Sequence, residues 1–214
     1  MNIFELIERR TIASWRLRLA NRWLTRSGLG TVLDNANGAL VPQAVDLRNL
    51  YKNVISRRPS VILEFGVGHS TIVMAEALRE VGGQIFTIDA NLDWLNLFSS
   101  QVPERLKPII KTYYCPLERM SHDGDECHRY VGLPDVTPDL VYLDGPDPCD
   151  VPDWGNDNSP IAADPILLEH KFPPGMRMIV DTRLANCEFL DRHLTRGYKK
   201  SYDKIFKIVT YDFI

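Results

Sequence analysis

Residues 61–71 read VILEFGVGHST, and the reactive types in this stretch fall in a tight order: Glu64, then Gly66 and Gly68, then His69, Ser70 and Thr71. The preceding apolar run has the length and composition of a buried strand. A strand that only packed would need neither the acid nor the paired glycines. Glycine permits unusual backbone angles and lets a ligand approach the main chain. The helix that starts at Ser70 offers unpaired N–H groups, and Ser70 or Thr71 can cap it.

Further acids stand at the ends of later apolar runs. Asp89 closes QIFTI, Asp144 closes DLVYL within Asp144-Gly145-Pro146-Asp147, and Asp181 closes MRMIV. Asp89 lies 21 residues past Gly68, a spacing that suits a carboxylate gripping ribose hydroxyls. The dinucleotide fingerprint wants a third small residue where this chain has Thr71, and Glu64 would repel a pyrophosphate at the helix start. An acid there suits a ligand with a positive charge and an amino group, such as S-adenosylmethionine. A nucleotide or dinucleotide enzyme on a similar sheet is the competing expectation.

The elements that must hold these residues follow from the pattern. Residues 2–26 read as a helix with Ile12, Trp15, Leu19 and Trp23 along one side, ended by Gly28 and Gly30. A second helix spans 43–57, and Pro59 stops it. From residue 60, strands at 61–65, 84–88, 108–114, 139–143 and 176–180 alternate with helices at 70–80, 92–101, 161–171 and 184–196. Such alternation predicts a parallel sheet with helices on both faces. The tail YKKSYDKIFKIVTYDFI offers two strands too close for a crossover helix, so they pair as an antiparallel hairpin. Residues 116–131 read as a short helix plus loop. Residues 144–160, rich in Pro, Asp, Asn and Gly, read as a long loop of the kind that forms lids.

LEFGVGHST, FTIDA and DLVYLDGPD, in this order, resemble the class I S-adenosylmethionine-dependent methyltransferases, most of all the small-molecule O-methyltransferases. The resemblance runs from about residue 43 to 214, and PPGMRMIVDTR fits their fifth strand. It implies a Rossmann-like three-layer α/β sandwich, with a mostly parallel seven-stranded sheet whose last strand is antiparallel, preceded here by N-terminal helices. It implies that Gly66 and Gly68 pass under the methionine part of the cofactor and that Glu64 acts through this turn or toward the ammonium. Ser70 or Thr71 would bind the carboxylate, Asp89 the ribose hydroxyls, and Cys115 to Leu117 would border the adenine. Asp144 would face the methyl group and a small-molecule acceptor. The metal-dependent members carry Asp-Asn after the fifth strand where this chain has Asp181-Thr182. Asp144 and Asp181 could hold magnesium, but a third ligand is missing, so no metal is assigned. DLVYLDGPDP also resembles the Asp-x-x-Asp-Pro of aminopropyltransferases, but their glycine-rich first turn is lacking.

If the acceptor is a hydroxyl, a base must take its proton; Asp144, Asp147, His69 and His122 are the candidates. His122 and His128 lie in a polar segment and are expected to be solvated. Trp154 and Tyr142 are candidate walls of an acceptor pocket.

Size and charge set the outer limits. The chain has 214 residues, 44% hydrophobic and 25% charged, which fits one main domain over 43–214 and a basic helix and loop over 1–42. Residues 1–26 hold six arginines against two glutamates, a net of +4, which leaves −7 for the rest of a chain whose total is −3. That acidic body argues against a nucleic-acid partner. The basic helix is expected to dock on the domain or on a second copy of the chain, with contact to an anionic membrane surface as the alternative. Neither a membrane span nor a secretion signal is apparent, so the expected compartment is the cytoplasm, with that helix as its one link to a membrane's inner face. The four cysteines form no CxxC pair and, with His122 and His128, no regular metal spacing; free thiols are expected.

Overall fold

The computed structural model describes residues 3–30, 44–151 and 159–214. Among these, α1 (Ile3–Arg26) and α2 (Ala44–Arg57) precede the sheet. The alternating part runs β1 (Val61–Phe65), α3 (His69–Val81), β2 (Gln84–Asp89), α4 (Leu92–Gln101) and β3 (Ile110–Tyr114). A hairpin of β4 (Leu117–His122) and β5 (Asp125–Tyr130) follows. The chain then runs through β6 (Leu140–Leu143), the short α5 (Asp164–Leu167), β7 (Arg177–Asp181), α6 (Leu184–His193), β8 (Tyr198–Asp203) and β9 (Ile208–Phe213).

Seven of these strands form one sheet in the order β3-β2-β1-β6-β7-β9-β8. The first five positions are parallel, and β9 runs antiparallel to both β7 and β8. The sheet, the antiparallel last strand and the closing hairpin are those expected from the sequence. Strand period assigns the two faces. Ile62, Tyr142 and Ile179 enter one core with α2 and α3, including Leu47, Val54 and Met74. Leu63, Phe65, Val141, Leu143, Met178 and Val180 enter the other, with Phe189 and Tyr211. Glu64 therefore points to the α2/α3 side, because it is two residues from Ile62.

Residues 116–131 differ from the expected helix and loop. Asp123 (φ 49°) and Gly124 (φ 90°) make the tight turn that joins β4 to β5. An Asp-Gly pair with both residues at positive φ matches the right-handed twist of a two-stranded hairpin. His128 is buried at 2% exposure rather than solvated, and burial pushes its imidazole pKa down. His122 is half-buried against Phe189 and His193.

The second half of α1 docks on the domain. Ala20 is buried, Trp23 packs its ring 5.2 Å from that of Tyr51, and Leu24 adds to the same core. The first part of the expected stripe does not bury: Trp15 is 62% exposed. Arg16 pairs with Asp203 at 2.5 Å and lies over the Phe206 ring. No described helix is long and apolar enough to cross a membrane. Trp154 and the rest of 152–158, within the 144–160 loop, lie outside the described residues.

Candidate functional site

The strand order reverses between β1 and β6, and crevices open at such switch points beyond the carboxyl ends of the strands. Here the two turns are pressed together. Gly145 and Asp144 donate their N–H groups to the Phe65 carbonyl, at 2.7 and 3.0 Å, and Gly66 donates to Ile88 O at 2.8 Å. A Cβ on Gly66, which has φ 96°, would sit 3.1 Å from Gly145 N; one on Gly145 would sit 2.4 Å from the Tyr130 hydroxyl. Both glycines are therefore required by close approach.

A cavity of about 330 Å³ opens above these turns. Of the residues singled out in the sequence, Gly66, Gly68, His69, Ser70, Asp89, Tyr142, Asp144 and Asp147 line it. Glu64 and Thr71 do not. Glu64 is fully buried behind the turn, where Ser70 Oγ and Thr71 Oγ1 each donate to its carboxyl at 2.6 Å. Thr71 Oγ1 in turn accepts from Gly68 N at 3.0 Å. The two hydroxyls expected to meet a ligand carboxylate are thus hydrogen-bonded to the Glu64 carboxyl, and this acid braces the turn from within. Burial pushes the Glu64 pKa up to about 8, despite the opposing hydrogen bonds from Ser70 and Thr71. Cys115 and Leu117 also stand off the cavity wall. Cys115 is fully buried, with its N–H on Asp89 O and its thiol toward Gly132 O.

Asp89 holds the front of the turn. Its Oδ2 accepts from Val67 N at 3.0 Å and its Oδ1 from Asn91 N at 2.9 Å. Each oxygen keeps one further acceptor position, so the pair can take two hydroxyl donors at once. Burial, ahead of those two bonds, pushes its pKa up to about 6. Asn91 caps α4 by accepting from Trp94 N, and Trp94 donates its indole N–H to Val67 O at 2.8 Å. This fixes an aromatic wall beside Asp89.

Asp144 is exposed toward the cavity, with protein around its other sides. That enclosure and then the Asp181 carboxylate push its pKa up to about 6, against the nearby Arg183. Arg183 is itself buried, and donates to the carbonyls of Pro146 and Pro160. Asp181 accepts the Tyr142 hydroxyl at 3.0 Å and faces a small recess with Asp46 rather than the main cavity. Asp46 borders both spaces and is 8% exposed; burial, then Asp181 and Asp144, push its pKa up to about 7.

Asp46, Asn91, Trp94 and Tyr130 line the cavity without having been singled out in the sequence, and Asp150 of the acidic 144–160 loop lines it as well. One signal was available: Asp46 precedes Leu50 by four residues, so an acid lies on the apolar face of α2. Tyr130 needed the Asp-Gly hairpin to be recognised first.

The five carboxyl groups of Asp46, Asp89, Asp144, Asp147 and Asp150 share this wall, and no lysine or arginine is among its described lining residues. Asp144 and Asp181, the candidate magnesium pair, open onto different spaces, the cavity and the recess. Thr182 follows Asp181, and the only convergence of three metal-ligating atoms within 4.8 Å among the described residues lies elsewhere, at His122, Asp123 and His193.

No family model matches the chain, and no curated protein matches it. Solved structures do. The O-methyltransferase TomG from Streptomyces achromogenes, solved with S-adenosylmethionine, superposes with a TM-score of 0.53 at 16% identity over 87% of this chain and 88% of that one. The O-methyltransferase from Bacillus cereus, solved with S-adenosylhomocysteine, gives 0.53 at 16% identity over 87% and 90%. The methyltransferase PaMTH1 from Podospora anserina, also bound to S-adenosylhomocysteine, gives 0.53 at 11% identity over 94% and 87%. The chain has the fold of the class I methyltransferases.

Proposed function

We propose that the protein is an S-adenosylmethionine-dependent methyltransferase that methylates a hydroxyl of a small polar acceptor, a sugar or another hydroxylated metabolite. The observation that carries this reading is the charge of the cavity wall. Five aspartates with no lysine or arginine among the described lining residues disfavour a pyrophosphate and favour a ligand with a sulfonium and an ammonium group. Asp89 has the acceptor positions for a ribose diol, and the Gly66–Gly68 turn leaves main chain open to the ligand. The likeness of fold to enzymes solved with S-adenosylmethionine or S-adenosylhomocysteine supports the same choice.

Bound S-adenosylmethionine would supply an activated methyl group, so that the carbon–sulfur bond breaks as the carbon–oxygen bond forms. The chain's own contribution is position and proton transfer. Asp144 stands at the end of β6 on the cavity wall, and its pKa of about 6 leaves it ionised at neutral pH and able to take the acceptor's proton. Asp147 and His69 lie on the same wall as alternative bases. Tyr142 donates to Asp181 beside Asp144, and the Asp181 carboxylate helps to raise the Asp144 pKa. No step requires a metal.

A thermal-shift comparison tests the cofactor class. S-adenosylmethionine and S-adenosylhomocysteine at about a hundredfold their dissociation constants stabilise by about 2.7 kcal/mol, enough to raise the midpoint by several degrees. NAD should leave it unmoved. A shift with NAD and none with either sulfur ligand would transfer the assignment to a nucleotide enzyme.

A further inference from the structure

A second cluster of ligating side chains lies away from the cavity, where the tip of the β4–β5 hairpin meets the end of α6. His122 ends β4, Asp123 begins the turn, Asp125 begins β5, and His193 is the last residue of α6. His122 Nε2 is 4.0 Å and His193 Nδ1 is 3.8 Å from the same oxygen, Asp123 Oδ2. One donor atom from each of the three residues falls within 4.8 Å of the others. The imidazoles meet edge to face with centroids 4.8 Å apart, and each also lies against Phe189. Only 10% of the His193 side chain is exposed.

The orientation of His193 gives the cluster its chemistry. Its Nε2 lies 2.8 Å from Asp125 Oδ2. Asp125 also accepts from Arg192 at 2.6 and 3.2 Å, and these two partners hold its carboxyl below the usual range. The 2.8 Å contact holds the ring with Nε2 toward Asp125 and Nδ1 toward Asp123. A carboxylate that orients the far nitrogen of an imidazole is the arrangement that fixes metal-ligating histidines.

We propose that His122, Asp123 and His193 bind a divalent transition-metal ion, with Asp125 orienting His193. Two imidazoles and one carboxylate suit zinc, cobalt or nickel rather than magnesium or calcium. Bonds of about 2.0–2.1 Å to a tetrahedral ion put ligand atoms about 3.3–3.5 Å apart. The two separations from Asp123, which is exposed and sits on a turn, need to close by about half an ångström, and the separation between the two imidazole nitrogens, within 4.8 Å, by up to about 1.4 Å. The ion would tie the hairpin to α6, and the far end of that hairpin carries Tyr130 into the cavity wall. The site stands independently of the cofactor assignment.

Titrating the tag-free full chain with cobalt chloride tests this. Visible absorption from a nitrogen- and oxygen-ligated ion should saturate at one equivalent, with paramagnetic broadening of the His122 and His193 ring signals. His122→Ala and His193→Ala should each abolish the absorption. Asp125→Asn should weaken binding about 10–100-fold, as loss of an orienting carboxylate does. Because a histidine variant could disturb packing on Phe189, Asp123→Asn serves as the second variant: asparagine tolerates the left-handed backbone of this turn, so the fold stays while a ligand is lost. Cys149→Ala, which removes the one exposed thiol, should bind as the unaltered chain does. No spectral change in the unaltered chain, or an unaltered titration in Asp123→Asn and both histidine variants, would overturn the site.

Discussion

Glu64 is the residue whose role changes most between sequence and structure, and its chemistry is testable alone. It is enclosed at the end of β1 with two hydroxyl donors and no cation. Its pKa rises from 4.5 to about 8, so the native state keeps a proton that the unfolded chain has released between those pH values. The slope of stability with pH is set by protons bound in the unfolded state less those in the native state. It is negative here: this group costs stability as pH rises from about 4.5 to about 8, and the loss is complete above that. Glu64→Gln should fold, because glutamine resembles the neutral acid in shape. Denaturant midpoints between pH 5 and 8 should show a slope reduced by up to about 1.4 kcal/mol per pH unit. An unchanged slope would mean that Glu64 is ionised in the folded protein.

At the scale of elements, the site is two strand-end turns with their backbones in contact. Gly145→Ala should therefore destabilise by about 1–3 kcal/mol through overpacking against Tyr130 and Gly66, read as a lowered midpoint in chemical denaturation. A midpoint equal to that of the unaltered chain would mean that the turns have room to separate. Much of this arrangement was legible beforehand. Buried parallel strands show as continuous apolar runs, and VILEF, QIFTI, DLVYL and MRMIV were found for that reason. The acids after them were placed because strand ends in such sheets face the crevice. The β4–β5 hairpin was missed because LERMSH and DECHRY carry so many charges that they lack the apolar signature of a strand; only the Asp-Gly pair marked them. Asp46 was missed because it precedes the sheet by a whole helix, and its place beside Asp181 depends on how α2 packs. The hydroxyls of Ser70 and Thr71 could not be aimed from sequence, since helix-start side chains can face either a ligand or the strand beneath.

At the scale of the molecule, charge is arranged as well as counted. The acidic part of the chain gathers five aspartates on one cavity wall, and burial, with repulsion from Asp181 and from neighbouring wall aspartates, holds Asp46 and Asp144 above the usual carboxylate range. The basic N-terminal helix brings Arg16 to Asp203, and its charge partly offsets the rise at Asp46. A cationic ligand in the cavity would relieve the same repulsion. The central claim is that this ligand is S-adenosylmethionine, held by Asp89. Calorimetric titration of S-adenosylhomocysteine and S-adenosylmethionine into the full chain and into Asp89→Ala tests it most directly. Loss of hydrogen bonds to a charged group costs about 1.5–3 kcal/mol, so one-to-one binding to the unaltered chain should weaken at least about tenfold in the variant. No saturable heat at about 1 mM of either ligand, which would place binding weaker than about −4 kcal/mol, or equal affinity in Asp89→Ala, would contradict it.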